Sequence, residues 1–247
     1  MKHKVSVLAI IQARTSSSRL PEKIFQPIGE KPLLGWVLQR LSEAKKVERV
    51  VIATSVEPHD DKVESFAVNA GVEFFRGSEE DVLGRFAKTL ETFPADTIIR
   101  ATGDNPLLDP GALDMMIDEH IRNNADHTVL SGKVPIGSTA EVVDPQALTA
   151  AYAEAKGEMF REHVTPFIFS HPERFRLLQV TPPAYLANKD YRLTVDTEED
   201  LALMRAIDEK LREQGKPFNV VNAIQLLDMD PKVAAINKNV RQKNWRE

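Results

Sequence analysis

Residues 5–23 read VSVLAIIQARTSSSRLPEK, and this stretch determines how the first part of the chain folds. Residues 5–11 form a short, continuous apolar run, which is typical of a strand covered by helices on both faces. The run leads into a loop with three cations, Arg14, Arg19 and Lys23, and four successive hydroxyl residues at 15–18. Cations and short donors in a strand-to-helix loop favour polyphosphate binding, although an ordinary polar surface loop can have the same composition. Because no glycine precedes Gly29, the loop is neither a Walker loop nor a Rossmann fingerprint.

The rest of the first half alternates strand and helix patterns. Apolar residues at helical spacing predict helices over residues 32–44, 60–70, 78–90 (with Ser78 as the N-cap) and 110–123. Apolar runs predict strands over residues 49–54, 72–75 and 96–101. This alternation predicts an α/β fold with a doubly wound, mostly parallel sheet. Ligands of such sheets bind beyond the carboxyl ends of the strands, near the point where the strand order reverses.

The second half of the chain has a less regular pattern. We expect a strand over residues 126–130, a loop over 131–138, and helices over 145–156 and 161–171. A strand over residues 191–195 is expected to lead into a helix over 198–214. Residues 231–247 carry several cations and are expected to form a terminal tail.

Composition excludes several classes of function. The 247 residues include 32 Lys and Arg against 37 Asp and Glu, which gives a formal net charge of -5, and no cysteine. Without cysteine there is no disulfide framework, thiolate metal site or cysteine nucleophile. The acidic total argues against a nucleic-acid partner, and no apolar run approaches the roughly 20 residues of a membrane span. We therefore expect a cytoplasmic protein with no nucleic acid and no membrane span among its partners.

Two acidic residues follow predicted strands and are candidates for a metal site. Asp104 follows the strand over 96–101, and Asp196 follows the strand over 191–195. Carboxylates at strand ends suit Mg²⁺, although an aspartate in a β-turn beside Gly103 is the simpler alternative for Asp104. Thr197 and Asp200 fit a helix capping box and need no chemical role. Cations for phosphate together with acids for metal are typical of phosphoryl or nucleotidyl transfer.

Six motifs, in order along the chain, resemble one family of enzymes. They are IIQARTSSSRLPEK at 10–23, KPLL at 31–34, VVIATS at 50–55, FRGSEEDVL at 75–83, RATGDNPLLD at 100–109 and RLTVDTEEDL at 192–201. Together they resemble the SpsF-like cytidylyltransferases, in the acylneuraminate and 3-deoxy-manno-octulosonate (KDO) cytidylyltransferase superfamily. The resemblance covers most of residues 5–210, and the first and fifth motifs carry most of its weight.

The resemblance implies a fold and a reaction. The fold would be a GT-A-like nucleotidyltransferase domain over residues 1–230, with a smaller acceptor and dimerisation subregion at 131–180 and a tail at 231–247. The enzyme would use CTP and Mg²⁺ and would transfer CMP to a sugar acid, a sugar phosphate or a phosphonate, with release of pyrophosphate. The product would be an activated precursor for polysaccharide or related biosynthesis, and the enzyme would be a homodimer.

The resemblance also implies roles for particular residues. The triphosphate would be held by Arg14, Ser18, Arg19 and Lys23, and Mg²⁺ by Asp104 and Asp196, with Arg14, Lys23 and Asp104 as the catalytic residues. The base and ribose would lie near Ala13, Thr54, Ser55, Arg76, Gly77 and Ser78. Arg100 would either face the nucleotide or stabilise the strand end.

The acceptor side would include Gly137, Ser138, Thr139, Glu141, Arg161, Glu162 and His163. The family's acceptor loop often reads Gly-Leu-Asp-x-Glu-Val, and this chain has Ser138 and Thr139 at the Leu-Asp positions. The chain also lacks the Gly-Gly-Ser-Lys loop usual in sialic acid synthetases, and this weakens sialic acid itself as the acceptor.

Two alternatives remain at this point. A GT-A glycosyltransferase using a nucleotide-sugar donor usually needs an Asp-x-Asp metal motif, and the one such triplet here is Asp228-Met229-Asp230, which a turn before Pro231 explains more simply. A nucleotide-binding module that has lost catalysis is the other. The presence of both the cationic loop and the strand-end acids argues against it.

Overall fold

The computed structural model describes residues 5–17 and 19–242. Its strands are β1 (Val7–Gln12), β2 (Pro27–Ile28), β3 (Lys31–Pro32), β4 (Arg49–Ser55), β5 (Glu73–Gly77), β6 (Thr97–Thr102), β7 (His127–Leu130), β8 (Glu141–Val143) and β9 (Leu177–Val180). Its α-helices are α1 (Leu33–Glu43), α2 (Asp61–Ala70), α3 (Val82–Thr92), α4 (Pro110–Asn123), α5 (Pro145–Glu154), α6 (Glu158–His163), α7 (Pro166–Phe169), α8 (Glu198–Glu213), α9 (Val220–Met229) and α10 (Pro231–Ala234). Within the described residues, no helix is long and apolar enough to cross a membrane.

Seven of the strands form one sheet in the order β5-β4-β1-β6-β8-β7-β9. Strands β5, β4, β1 and β6 run parallel, β8 pairs antiparallel with both β6 and β7, and β9 runs parallel to β7. The chain adds β4 and β5 on one side of β1 and then crosses to add β6 on the other. The strand order therefore reverses between β1 and β6, so that the loops after these two strands border a crevice.

Helices cover both faces of the sheet, as the sequence predicts. Alternate residues of β1 belong to different cores, with Ala9 and Ile11 on one face and Leu8 and Ile10 on the other. The first core includes apolar residues of α1, α2, α4, α8 and α9, and the second includes those of α3, α5 and α7. A strand buried on both faces must be apolar at each buried position, and this explains the continuous apolar run at residues 7–11. The predicted doubly wound α/β fold is confirmed.

The helix predicted over residues 78–90 starts later than expected. Helix α3 begins at Val82, and its N-cap is Asp81, whose carboxylate accepts a hydrogen bond from the Gly84 backbone N–H at 2.9 Å. The Ser78 hydroxyl instead accepts a hydrogen bond from the Asp81 N–H at 3.1 Å and closes a turn before the helix. The prediction of Ser78 as the N-cap is therefore wrong, because an aspartate at the next suitable position takes that role.

The helix predicted over residues 161–171 is broken into α6 and α7. Between them Val164 has φ 71° and ψ -61°, and the Thr165 N–H donates to the His163 carbonyl oxygen at 2.9 Å. This is a γ-turn of the rare, strained kind. Pro166 has no backbone N–H to donate to the carbonyl oxygen four residues earlier, and its ring would clash with that carbonyl in a continuous helix, which explains the break.

Residues 191–195 do not form the predicted strand of the sheet. The segment makes one isolated bridge, between Ile136 and Arg192, and otherwise pairs with loops. The Leu193 N–H donates to the Ile136 carbonyl oxygen at 2.7 Å, and the Val195 N–H donates to the Asp104 carbonyl oxygen at 2.9 Å. This pairing brings Asp196 beside the loop after β6, although the two segments are far apart in sequence.

Helix α8 starts with the predicted capping box. The Thr197 hydroxyl accepts from the Asp200 N–H at 3.3 Å, and the Asp200 carboxylate accepts from the Thr197 N–H at 3.2 Å. We predict that Thr197→Ala lowers the free energy of unfolding by about 1 kcal/mol, because one cap hydrogen bond is lost. Urea denaturation measures this change.

Thr149→Ala is the matched control for this measurement. The Thr149 hydroxyl is exposed and donates only to the Pro145 carbonyl oxygen within α5. Its removal should change the free energy of unfolding by less than about 0.5 kcal/mol. An equal loss in both variants would contradict a capping role for Thr197.

Candidate active site

A cleft of about 980 Å³ lies beyond the carboxyl ends of β1 and β6. Six segments line it: the loop after β1, the loop after β6, the start of α3, the end of α6, the segment before α8 and the C-terminal part of the chain. The lining residues are Gln12, Ala13, Arg14, Ser16, Ser17, Arg19, Lys23, Ile24, Glu79, Val82, Arg85, Thr102, Gly103, Asp104, Glu162, His163, Asp196 and Gln242. The cleft thus lies where the strand order reverses and contains most of the charged residues that the sequence predicts for the site.

Lys23 lies between the two predicted metal ligands. Its ammonium group donates to Asp104 Oδ2 at 2.7 Å, to Asp196 Oδ1 at 2.8 Å and to the Val195 carbonyl oxygen at 3.0 Å. Burial lowers the pKa of Lys23, but the charges and hydrogen bonds of the two carboxylates outweigh burial and raise the pKa above its ordinary value. The Lys23 side chain is 13% exposed, so the interaction is only partly screened by water. The two acids and the lysine therefore form one charged cluster.

Asp196 contacts two further cations through its other oxygen. Asp196 Oδ2 lies 3.2 Å from Arg19 Nη2 and accepts a hydrogen bond from Arg192 Nη2 at 2.6 Å. Burial raises the pKa of Asp196, but Lys23, Arg19 and Arg192 outweigh it and hold the pKa below its ordinary value. The carboxylate is therefore ionised at neutral pH, as a metal ligand or cation partner must be.

Gly103 brings the loop after β6 against β1. The Gly103 N–H donates to the Gln12 carbonyl oxygen at 2.9 Å. A Cβ atom at this position would lie 3.2 Å from the same oxygen and 3.3 Å from the Ala13 Cβ atom. The glycine in the Thr-Gly-Asp motif thus permits the close approach that sets Asp104 opposite the cationic loop.

The first turn of the cationic loop is held by a buried carboxylate, Asp60. Asp60 Oδ1 accepts hydrogen bonds from the Thr15 N–H at 2.7 Å and the Thr15 hydroxyl at 2.8 Å, and Asp60 Oδ2 accepts from the Ser55 hydroxyl at 2.5 Å. Burial raises the pKa of Asp60, but these hydrogen bonds lower it further than burial raises it, so the pKa lies below its ordinary value. Thr15 and Ser55 thus support the loop, and they do not line the cleft.

Arg14 and Arg85 give the cleft further positive charge. Arg14 is partly exposed, and its guanidinium lies 3.5 Å from Glu162 Oε1 and 4.0 Å from Glu79 Oε1. Arg85 is 2% exposed and donates to the Ser78 carbonyl oxygen at 2.7 Å. Burial, and then the charge of Arg14, lower the pKa of Arg85 to about 10. Arg85 therefore remains a cation at neutral pH, and the two guanidinium groups together favour an anionic ligand.

Four more residues that were predicted to contact the nucleotide do not line the cleft. Thr54 is fully buried, and its hydroxyl has no hydrogen-bond partner among the described residues. Arg76 donates to the carbonyl oxygens of Ser55 at 2.9 Å and Glu57 at 3.0 Å and lies 2.8 Å from Glu64, and so it ties β4 and β5 to α2. Gly77 and Ser78 stay outside the lining, and Ser18 lies outside the described residues. These five assignments stay predictions.

Most of the predicted acceptor loop is packed into the structure. Gly137 has φ +86°, and a Cβ atom there would lie 2.7 Å from the Thr194 backbone nitrogen, so the loop presses against residues 192–195. The fully buried Ser138 donates its hydroxyl to the Pro135 carbonyl oxygen at 2.7 Å, and Thr139 donates to the Ala140 carbonyl oxygen at 3.1 Å. None of the three lines the cleft.

Glu141 and Arg100 form a charged pair beside the cleft. Glu141 Oε2 accepts from the Thr165 hydroxyl at 2.8 Å and lies 3.8 Å from Arg100 Nη1. Burial raises the pKa of Glu141, but His127, Arg100 and Thr165 outweigh it and lower the pKa to about 2. Arg100 also donates to the Gln12 side chain at 3.2 Å, and Gln12 lines the cleft. Arg100 thus acts on the cleft through Gln12 in this structure.

The end of α6 brings Glu162 and His163 into the cleft, whereas Arg161 packs on α3. Arg161 lies 3.4 Å from the Asp81 carboxylate, with its guanidinium 4.9 Å from the centre of the Tyr152 ring. Burial and the charges of Arg100 and Arg14 outweigh the charge of Glu162 and hold the pKa of His163 below its ordinary value. His163 is therefore a neutral imidazole at neutral pH.

The alternative Asp-x-Asp motif is placed outside the cleft. Asp228 accepts hydrogen bonds from Lys189 at 2.5 Å and the Tyr191 hydroxyl at 2.7 Å. Asp230 caps α10 by accepting from the backbone N–H of Lys232 at 3.1 Å. Both acids therefore have structural partners.

Several residues of the site were not predicted from the sequence. Asp60, Arg85, Arg192 and Gln242 act on the site through contacts that join distant segments. The Asp-Val-Leu-Gly-Arg stretch at 81–85 could have indicated Arg85 as a site residue, because this arginine lies one helical turn after Asp81, the N-cap of α3. Gln242 lies in a part of the chain without a recognisable pattern.

We predict that Asp60→Asn destabilises the protein by about 1–3 kcal/mol, because buried hydrogen-bond donors lose their acceptor. Since the pKa of Asp60 is lowered on folding, this contribution is fully present above the unfolded-state pKa of about 4 and is lost as the pH falls through the folded-state pKa. The stability difference between wild type and variant should therefore be constant from about pH 7 to 5 and shrink below about pH 4. Chemical denaturation across this range measures it.

Asp61→Asn is the control, because Asp61 is exposed and forms a surface ion pair with Arg76 at 2.7 Å. Its effect should stay below about 1 kcal/mol. A difference for Asp60→Asn that persists unchanged at low pH would contradict the assigned role of its ionised carboxylate.

Comparison with known proteins places this geometry in a family. The cytidylyltransferase family matches residues 8–224. The chain is 37% identical over 233 residues to the spore coat polysaccharide biosynthesis protein SpsF of Bacillus subtilis, covering 92% of this chain and 96% of that protein. It is also 37% identical to an uncharacterized protein of Methanocaldococcus jannaschii over 248 residues, covering 98% of this chain and 99% of that protein.

A solved structure agrees with the sequence comparison. The cytidylyltransferase from Leptospira borgpetersenii superposes with a TM-score of 0.83 at 29% identity and covers 98% of this chain and 99% of that chain. The fold, the charged cleft and the matched residues lead to one conclusion. This chain belongs to the cytidylyltransferase family and is a nucleotidyltransferase.

Proposed function

We propose that the protein transfers CMP from CTP to a small anionic or sugar acceptor and releases pyrophosphate. The observation that carries the proposal is the cluster in which Lys23 bridges Asp104 and Asp196 in a cleft lined by Arg14 and Arg19. Phosphoryl chemistry needs positioned cations for the phosphate oxygens and oxygen ligands for a metal, and this cleft contains both. No second function is favoured by a specific observation.

The residues present fit a divalent metal that binds together with the nucleotide. Among residues 5–17 and 19–242, no group of three or more His, Asp or Glu side chains forms a complete metal-binding set. Mg²⁺ is commonly held by one or two carboxylates, with substrate phosphates and water completing its ligands. Asp104 and Asp196 would hold the ion, which when bound would neutralise charge on the triphosphate.

The cations of the loop after β1 would bind and orient the triphosphate. Arg14 and Arg19 are about one-third exposed, at 37% and 33%, and so they are accessible to a ligand. Arginine binds phosphate oxygens in a planar, two-donor geometry, whereas lysine acts as a point charge. We assign Arg14 and Arg19 to the outer phosphates and Lys23, beside the carboxylates, to the oxygens that gain charge in the reaction.

The transfer itself needs one bond to form and one to break. An acceptor oxygen attacks the α-phosphorus in line, the bond from this phosphorus to the bridging oxygen breaks, and pyrophosphate leaves with the electron pair. A phosphate, phosphonate or carboxylate oxygen is already ionised, whereas a sugar hydroxyl must lose a proton. His163 is the base we propose for that case, since it lines the cleft and is neutral at neutral pH.

The acceptor would bind at the end of α6. Glu162 and His163 line the cleft, and the γ-turn at Val164 fixes the direction in which this end faces. Most of segment 131–180 would support the acceptor side without lining the cleft, and it would provide a homodimer contact. The predicted acceptor residues in this supporting part are Gly137, Ser138, Thr139 and Glu141. The relation to the polysaccharide biosynthesis protein supports a sugar-derived acceptor and a role in polysaccharide assembly.

We predict that the purified protein, with Mg²⁺ and an acceptor, releases pyrophosphate from CTP faster than from ATP, GTP or UTP. A coupled pyrophosphate assay over sialic-like acids, octulosonates, sugar phosphates and phosphonates measures this. Asp104→Ala should lower kcat by about 100-fold or more, because positioned charge carries the catalysis. Lys23→Ala should raise the KM for CTP and also lower kcat, each by about 10-fold, because Lys23 would both bind the triphosphate and stabilise the charge that develops in the reaction.

Asp228→Asn is the control carboxylate, since among the described residues the Asp228 carboxylate accepts hydrogen bonds from Lys189 and Tyr191 and does not line the cleft. It should keep wild-type activity within about 2-fold. The glycosyltransferase alternative would be supported by a different result. In that case the wild type would transfer sugar from a nucleotide sugar without releasing pyrophosphate, and Asp228→Asn would lose this sugar transfer.

We predict that His163→Gln separates the two kinds of acceptor. With a hydroxyl acceptor, kcat should fall by about 100-fold, because proton removal by a positioned base contributes roughly that much. With a phosphate or phosphonate acceptor, kcat should change little. Equal losses with both acceptor kinds would contradict the role as a base.

A further inference from the structure

The C-terminal segment returns to the active site along a path that the sequence did not predict. After α10 the chain continues to Gln242, which lines the cleft together with Asp104 and Asp196. Val233 and Asn237 anchor this segment, since they are 5% exposed. Residues 231–242 are therefore packed against the body of the protein, and their end reaches the charged cluster.

Arg192 connects this segment to the proposed metal ligand. Its Nη2 donates to Asp196 Oδ2 at 2.6 Å, and its Nε donates to Asp200 Oδ1 at 3.0 Å. The side chain of Arg192 is 8% exposed, so the direction of its guanidinium is fixed by these partners. Whatever holds Arg192 therefore also fixes the orientation of the Asp196 carboxylate.

Two residues of the C-terminal segment complete the hydrogen bonding around Arg192. The side-chain amide of Asn237 donates to the Arg192 carbonyl oxygen at 3.0 Å and to Asp200 Oδ1 at 2.8 Å. The Gln242 side-chain carbonyl accepts a hydrogen bond from Arg192 Nη1, the nitrogen that contacts neither carboxylate. Asn237 thus bonds to the backbone of Arg192 and to the buried carboxylate of Asp200. Gln242 bonds to Arg192 Nη1, the guanidinium nitrogen that contacts neither carboxylate.

The carboxylate of Asp200 fixes the position of Arg192 through a set of buried hydrogen bonds. Its carboxylate is fully buried and accepts from Arg192, from the backbone N–H groups of Asp196 and Thr197, and from Asn237. Residues that orient a metal-ligating side chain from behind typically change metal affinity or activity by about 10–100-fold when they are removed. The capping box of α8 therefore has a second role, as the anchor for Arg192.

We propose that Asn237 and Gln242 are positioning residues of the active site, which hold Arg192 so that Asp196 presents its carboxylate to the metal–nucleotide complex. The inference rests on the proposed function, because it assigns Asp196 to the metal. Gln242 lies at the exposed rim of the cleft, so changing it tests the proposal without disturbing the core.

The experiment compares Gln242→Met with Gln242→Glu. Methionine has a similar length but lacks a strong acceptor for Arg192 Nη1, whereas glutamate keeps acceptor oxygens at that position. Binding of Mn²⁺ in the presence of CTP is measured by the loss of the free-ion signal in electron paramagnetic resonance. Gln242→Met should weaken Mn²⁺ binding by about 10-fold, and Gln242→Glu should keep it within about 3-fold of wild type or tighten it.

A kinetic measurement and two reference variants separate positioning from a loss of folding. In the pyrophosphate assay, Gln242→Met should raise the metal concentration for half-maximal rate while kcat at saturating metal stays within about 3-fold. Its thermal midpoint should match that of wild type. Lys232→Gln, an exposed change on α10, should behave as wild type, and Asp196→Asn should lose Mn²⁺ binding.

The outcomes distinguish the inference from the proposed function. Wild-type binding by Gln242→Met, or equal weakening in the Met and Glu variants, would overturn the inference and leave the proposed function in place. If Asp196→Asn bound Mn²⁺ as wild type does, the metal assignment and the inference would both fail. Absence of pyrophosphate release by wild type would contradict the proposed function itself.

Discussion

The ammonium group of Lys23 is the centre on which the active site depends, because it joins two carboxylates from distant parts of the chain. Asp104 lies 81 residues after Lys23, and Asp196 lies 173 residues after it. Two carboxylates brought this close would repel each other without a cation between them. With Arg19 and Arg192 as further cations and Asp200 as a further carboxylate, the cluster contains three positive and three negative groups. The site is therefore highly charged locally but close to neutral in total.

The fold supplies the positions that this charge pattern needs. The strand order reverses between β1 and β6, so that their following loops open apart and leave a crevice. Asp60 holds the start of the cationic loop, and Gly103 lets the opposite loop approach to van der Waals distance. The γ-turn at Val164 brings the end of α6 to the same crevice, and such strained backbone persists only where the surrounding packing determines it. Each support is held by hydrogen bonds or close contacts, as expected where catalysis relies on positioned charge.

Much of the fold could be predicted from the sequence because local patterns determine it. The apolar run at residues 7–11 is buried on both faces, and the parallel core of the sheet follows from the alternation of such runs with amphipathic helices. The errors lie where a local signal competes with another. Asp81 replaces Ser78 as the cap, Pro166 divides a predicted helix, and residues 191–195 have strand-like composition but pair with loops. The strands β8 and β9 carry short, weak patterns, and their pairing depends on contacts made elsewhere in the sheet.

The sequence by itself determined the doubly wound sheet, the cationic loop and the acid that follows β6, since burial, charge and spacing are properties of consecutive residues. It also carried the ordered motifs that relate the chain to the cytidylyltransferases. Only the tertiary structure decided which polar residues serve the cleft and which serve the fold. Ser55 and Arg76 turn towards structural partners, whereas Arg192 and Gln242 reach the charged cluster. The physical reason is that a side chain's role depends on the partners that folding brings within hydrogen-bond distance, and those partners are distant in sequence.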